Sequence, residues 1–239
     1  MEQARDGAAE LRGEDARHLA RVLRAEPGQQ YEIADGEAVY LAEVSSVAKD
    51  CVTFRLLEKL DAPPAPLRLT LFAALIKFDR FEWLVEKATE LGAATIAPVN
   101  AARSEKGLAE AARKRAERWR RIAHESSQQA RRVGPPEIGA PQSLAEALAA
   151  TAGFRYFLDE QPGPLPLAAA IPPAAERSRE DSAALLTGPE GGWTEAERAA
   201  AIAAGWMPVS LGPLILRAET AAILAAGVLL HAWWASQLE

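Results

Sequence analysis

Cysteine is almost absent: Cys51 stands alone among 239 residues. One thiol permits neither an internal disulfide nor a cysteine-based zinc site, and it points to a reducing compartment. Histidine is equally scarce. His18, His124 and His231 are scattered, so no metal centre is expected. The opening Met1-Glu2-Gln3-Ala4-Arg5-Asp6 is not the basic-then-apolar start of a signal peptide. Neither G-x-G-x-x-G nor G-x-x-x-x-G-K-[ST] occurs, which removes the usual phosphate cradles. Long apolar runs are missing with one exception, Ala218–Ala235, which has the length of a membrane span. Glu219, Thr220 and His231 interrupt it, so it reads as a buried helix, and the chain as cytoplasmic with no membrane partner.

Positive charge is in deficit overall, with a net charge of -6. Its distribution says more than its sum. Residues 113–132 hold eight Lys or Arg (113, 114, 115, 118, 120, 121, 131, 132) against Glu117 and Glu125, a net +6, which leaves -12 for the rest. A local basic stretch attracts phosphate whatever the total charge. The plainer reading is a solvated helix face, and the residues alone leave both open.

What is present is a change of period along the chain. The N-terminal third is β-rich. Residues 15–24 read as a short helix burying Ala16, Leu19, Ala20 and Leu23, stopped by Pro27-Gly28. Tyr31-Glu32-Ile33, the Asp35-Gly36 turn and residues 38–44 form a hairpin, and residues 51–57 supply another strand. Ala62-Pro63-Pro64-Ala65-Pro66 is the clearest boundary, because consecutive prolines remove donors and stiffen the backbone. Beyond it, residues 69–76 are apolar but for Thr70, nearly continuous as a strand buried on both faces requires. Residues 80–91 form an amphipathic helix stopped by Gly92, residues 95–99 a strand, and residues 109–132 a long basic helix, whole or broken. Ser143 opens another helix. Strands follow at 154–158 and 183–187, separated by a Pro- and Ala-rich segment expected to be partly mobile. Thr194 with Glu197 is a capping box. The last strand is 208–211 and the last helix begins at Ala218. Alternation of this kind means an α/β domain with a mainly parallel sheet.

Two loops then draw attention: Gly188-Pro189-Glu190-Gly191-Gly192 and Gly212-Pro213-Leu214-Ile215-Leu216-Arg217. Each follows a short apolar run and opens a helix, which places both at the carboxyl edge of the sheet, where open α/β sheets bind ligands. Glycine lets backbone approach a ligand closely. A cofactor gripped by backbone, without a phosphate-binding lysine, fits such loops. Their expected contacts are Thr187, Gly188, Glu190, Gly192, Leu211, Gly212 and Leu216. Glu190 is open to two readings, a base or a cap for neighbouring amides, and Glu219 suits a helix N-terminus without further purpose. His124 reads as a surface residue. The Trp233-Trp234 pair reads as core or dimer interface.

Taken in order, the motifs resemble a known family. They are His18, Val22-Leu23-Arg24 and Gly28; Lys87-Ala88-Thr89-Glu90-Leu91-Gly92 with Ile96, Pro98 and Arg103-Ser104; and Arg118-Trp119, Ile122, Glu125, Gln129, Arg132 and Pro136. The two glycine loops, the second continuing into Glu219-Thr220-Ala221, are the most specific. The chain resembles the RsmE-type 16S ribosomal RNA uridine-N3 methyltransferases of the SPOUT superfamily over nearly its whole length. The resemblance implies a PUA-like RNA-binding β-barrel over residues 1–62 and a SPOUT α/β domain with a C-terminal trefoil knot over residues 67–239. It further implies S-adenosyl-L-methionine as cofactor, a homodimer, and 16S ribosomal RNA or the small ribosomal subunit as partner. The sequence departs from the family at its start, where residues 1–10 hold one basic residue, Arg5, and no aromatic residue, and at Leu214 and Ala218.

Methyl transfer to uridine N3 asks the protein mainly for positioning, since the cofactor carries the activated methyl group. A guanidinium near the uracil oxygens would favour loss of the N3 proton. Arg217 and Arg103 are the candidates. For Arg217 the competing role is an ion pair with Glu219 or a bond to a C-terminal carbonyl. Arg24, Arg120, Arg121 and Arg132 are the candidates for RNA contact. Two other functions remain in view: the same fold acting on transfer RNA, and a non-catalytic ribosome-assembly factor.

Overall fold

The computed structural model describes residues 7–61 and 65–238. They form two compact units, one from residues 7–61 with 131–134, the other from 65–130 with 135–238. The 62–64 part of the proline-rich boundary lies outside the described residues.

The first unit is a four-stranded antiparallel sheet with a short helix. Its elements are β1 (Ala8–Arg12), α1 (Gly13–Arg21), β2 (Gln30–Ala34), β3 (Val39–Ala48) and β4 (Cys51–Leu60), in sheet order β1-β4-β3-β2. Asp35 makes the β2–β3 turn, its Oδ1 accepting from the amides of Glu37 and Ala38. Alternate residues of β3 and β4, including Val44, Val52 and Phe54, meet Ala16 and Leu19 of α1 in a small core. A first strand forms without any aromatic residue, pairing Ala8 with Arg55 through Arg12 with Cys51. The helix is shorter than expected and Leu23 is exposed rather than buried. The amides of Val22 and Leu23 both turn back to the His18 carbonyl, and Arg24 at φ +52° leads the chain out. Ala25 fills the core position instead.

The second unit is a parallel sheet of eight strands covered on both faces. In chain order it contains β5 (Arg68–Ala74), α2 (Phe78–Leu91), β6 (Thr95–Asn100), α3 (Leu108–Gln129), β7 (Glu137–Ile138), β8 (Gln142–Ser143) and α4 (Leu144–Leu148). Then come β9 (Phe154–Leu158), β10 (Leu165–Pro166), α5 (Leu167–Ala170), β11 (Ser182–Thr187), α6 (Glu195–Ala203), β12 (Met207–Ser210) and α7 (Ala218–Ala235). The strand order is β10-β12-β9-β11-β5-β6-β7, with β8 also on β6. The segment between β9 and β11, expected to be partly mobile, contains β10 and α5.

Residues of β5, β9 and β11 alternate between two cores. Leu69, Leu71, Tyr156 and Leu185 face α2, α3 and α7, where Phe81, Trp119 and Leu229 are buried. Phe72, Phe157 and Leu186 face the other way, toward Trp193, Ala201 and Trp206. Helix α7 is apolar enough to cross a membrane, but Ala222, Ala225, Ala226, Leu229 and Trp233 are buried in the first of these cores. It is a core helix.

The chain leaves β5 toward β6 on one side but leaves β11 toward β12 on the other. Connections that diverge at adjacent strands open a crevice at their carboxyl ends, the usual ligand position in such sheets.

Candidate active site

That crevice is a cleft of about 870 Å³. Three loops wall it: 158–164 after β9, 188–192 after β11, and 210–218 from β12 into α7. Registry explains their meeting, because Leu186 pairs with Phe157 and Val209 with Leu158, so the three strands end together. Of the residues expected there, Gly188, Glu190, Gly192, Leu211, Gly212, Leu216 and Arg217 line the cleft. Thr187 does not: as the last residue of β11 it is buried beneath the lining.

The first loop is braced from three directions. The Trp193 indole is fully buried and donates to the Leu158 carbonyl at 3.0 Å. Glu197 caps α6 with one carboxylate oxygen and accepts from the Ala102 amide with the other, at 2.7 Å. Arg103, expected beside the reacting base, instead donates to the carbonyls of Gly191 at 2.9 Å and Trp193 at 3.2 Å. Arg103 thus braces this loop and lies outside the cleft lining. Gly192 sits at φ +67°, and a β-carbon there would stand 2.4 Å from Glu160 Oε1. Glycine takes this angle without strain, and any β-carbon would first have to displace the Glu160 carboxylate.

Behind this loop, Arg198 of α6 forms a fork. Its Nε lies 3.0 and 3.1 Å from the Asp159 carboxylate oxygens, one terminal nitrogen donates to the Trp193 carbonyl, and the other reaches Glu160 Oε1 at 2.6 Å. Burial opposes its charge, but the Asp159 bond and the charges of Asp159, Glu160 and Glu195 outweigh that and raise its pKa.

Arg80, in the first turn of α2, also lines the cleft. It forms an ion pair with Glu190, and its Nε lies 3.8 Å from Glu219 Oε1. Glu219 is therefore not the partner of Arg217. Arg217 is exposed at the N-cap of α7 and makes no ion pair among the described residues. The second loop turns at Gly212, φ +110°, and presents Leu214 and Ile215 almost fully to solvent.

The expected RNA contacts fall in both units. Arg24 and Arg132 belong to the first, and burial lowers the pKa of the half-buried Arg132. Arg120 and Arg121 lie on α3. Part of the basic run is neutralised there. Arg115 and Arg118 pair with Glu82 at 3.1 and 2.7 Å, and Arg120 stands 3.9 Å from Glu117. His124 hydrogen-bonds Gln128 at 3.0 Å. No cluster of His, Cys, Asp or Glu suited to a metal exists among the described residues.

Four residues in or just behind the cleft escape a reading of the sequence: Arg80, Asp159, Glu160 and Arg198. The acidic pair had a signal, since it follows an expected strand at the carboxyl edge. The two arginines had none, being polar positions on amphipathic helices.

Residues 63–230 match the model of the RNA methyltransferase domain, and residues 11–57 that of the RNA methyltransferase PUA domain. A ribosomal RNA small subunit methyltransferase E from Synechocystis sp. is 34% identical over 94% of this chain and 73% of its own length. A Neisseria gonorrhoeae ribosomal RNA small subunit methyltransferase E, solved bound to S-adenosyl methionine, superposes with a TM-score of 0.83 at 27% identity, covering 98% of this chain and 96% of that one. A putative methyltransferase from Legionella pneumophila, solved with the bound cofactor SAM, gives a TM-score of 0.80 at 30% identity, covering 96% and 94%.

Proposed function

The chain belongs to the RNA methyltransferase family, among the ribosomal RNA small subunit methyltransferases E, and from that premise we propose that it methylates N3 of a uridine in 16S ribosomal RNA using S-adenosylmethionine. The observation that carries this reading is the cleft of about 870 Å³ between glycine loops, with an uncommitted Arg217 on its lip.

The residues present fit the cofactor. The cleft has the volume of a small-molecule site. Gly188, Gly192, Leu211, Gly212 and Leu216 offer backbone groups at close approach. Asp159, Glu160 and Glu190 also line it, but Arg198 and Arg80 already neutralise them, so backbone groups rather than free carboxylates would hold the cofactor. When bound, the cofactor supplies an activated methyl group. The protein's own share is positional and electrostatic. The loops orient the reactants, and Arg217 stabilises negative charge on the uracil oxygens once N3 has released its proton to solvent water. Arg103 acts indirectly, by fixing the Gly191 and Trp193 carbonyls.

The same reading extends to the rest of the chain. Residues 1–62 would form a PUA-like barrel and residues 67–239 a SPOUT domain with its C-terminal chain knotted. Arg24, Arg120, Arg121 and Arg132 would hold RNA phosphates. The protein would act in the cytoplasm as a homodimer, and exposed Trp83 on α2 and Trp234 on α7 support an apolar interface.

Purified protein, labelled cofactor and either small subunits or naked 16S RNA provide the test. Mass mapping should place the label on uridine N3. Label on transfer RNA instead would select that substrate, and cofactor affinity too weak to measure would select the assembly-factor role.

A further inference from the structure

Glu219 is buried, 3% exposed, in the first turn of α7. Its Oε2 has no hydrogen-bond partner among the described residues, and its Oε1 faces Arg80. A buried carboxylate so poorly bonded depends on a nearby counter-charge. Arg80 is that counter-charge, and it is shared, because the same guanidinium holds Glu190. One side chain of α2 thus joins the loop that follows β11 to the helix that follows the second loop. Topology allows this because β5, which leads into α2, pairs with β11 in register up to Ala73 and Thr187. Arg217 lies two residues from Glu219 in the chain, yet it stays exposed and unpaired.

We propose that Arg80 is a positioning residue of the methyl-transfer site: it ties the two cleft loops together and keeps Glu190 and Glu219 from pairing with Arg217. This inference rests on the catalytic role proposed for Arg217. Without Arg80, the nearest cation to Glu219 along the chain is Arg217 itself, and a pair between them draws the guanidinium away from the substrate. Arg80 therefore acts through carboxylates rather than on the reacting atoms.

The test compares Arg80→Met, Glu219→Gln, the double variant and Arg80→Lys. Single-turnover methylation and calorimetric cofactor affinity are measured on each, with thermal melts of the free protein. Arg80→Met should slow methylation roughly 5- to 150-fold, the usual range of coupling between sites, with a smaller loss of cofactor affinity. Adding Glu219→Gln should recover most of the rate, because a neutral amide neither needs the cation nor competes for Arg217. Arg80→Lys should fall between wild type and Arg80→Met. Equal slowing in the single and double variants would overturn the proposal, making Arg80 a direct ligand contact, as would an undiminished rate in Arg80→Met. Arg80→Gln carries the same comparison if Arg80→Met folds poorly. In the melts, Glu219→Gln should restore the stability that Arg80→Met removes. Additive melts refute the coupling even if the wild type transfers no methyl group, so the two readings fail separately.

Discussion

Replacing Gly192 by alanine perturbs the first cleft loop, proposed to hold the cofactor, at a residue of positive φ. Two costs combine. At φ +67° the residue is left-handed, which costs an L-residue about 1–2 kcal/mol. The new β-carbon would also lie 2.4 Å from Glu160 Oε1, so the carboxylate has to move and release Arg198. Glu160 is 38% exposed and Arg198 only 12%, so solvent partly replaces that pair, and breaking it costs about 0.5–1 kcal/mol. Together these shift the balance toward other loop conformations by about 1.5–3 kcal/mol. Only the native conformation binds in this reading, so the apparent affinity falls with its population. At about 1.4 kcal/mol per tenfold, S-adenosylmethionine should bind roughly 10- to 150-fold more weakly. Isothermal titration calorimetry measures this, with circular dichroism as the check on folding. Gly36→Ala is the control, since φ is +93° there, nothing stands within 4 Å, and the hairpin lies in the other unit. It should lower stability and leave affinity unchanged. Affinity within about threefold of wild type in Gly192→Ala would refute the placement of the cofactor against this loop.

Arg217→Ala should lower kcat by about 2.7–4 kcal/mol, roughly a hundred- to a thousandfold, with cofactor affinity nearly unchanged, and Arg217→Lys should rescue it only in part. Single-turnover kinetics with calorimetry separate those effects, and a folding defect would make Arg217 structural. Charge reversal of Arg120 and Arg121 should flatten the log–log salt dependence of RNA binding by roughly 0.7–0.9 for each phosphate no longer neutralised. Reversal of Arg118, already paired with Glu82, should change the slope less. Tyr156→Phe should leave thermal stability unchanged or raise it, because the buried hydroxyl has no hydrogen-bond partner among the described residues. Burial pushes the Tyr156 pKa up to about 12 from 10, with Arg177 opposing and Asp181 adding to the shift. The neutral phenol is thus favoured in the fold. Its contribution is intact below pH 10, and stability falls as pH rises from 10 to about 12, a decline the variant should lack in alkaline melts.

Much of this molecule was legible from local pattern. The apolar run of β5, the stripe of α2, the Asp35 turn and the Thr194–Glu197 box each depend on residues a few positions apart, and each stands in the structure. Helix α1 shows where local reading stops. Its stripe continues to Leu23, but the left-handed turn at Arg24 gives the core position to Ala25. The site divides in the same way. Short-range sequence carries the glycines of the two loops, because close approach and positive φ are backbone requirements written at the residue itself. The partnerships around them were not legible. Arg80 meets Glu190 across 110 residues, Arg103 meets Gly191 across 88, and Arg198 meets Asp159 across 39. Such pairings depend on strand order and register, which bring the ends of β5, β9, β11 and β12 to one edge. Local pattern therefore carried the class of fold, the two glycine loops of the cleft and Arg217 as a candidate. Which of the cleft's two arginines has no ion-pair partner among the described residues emerged only in three dimensions, because charge neutralisation acts through space and the chain alone does not say which carboxylate each arginine meets.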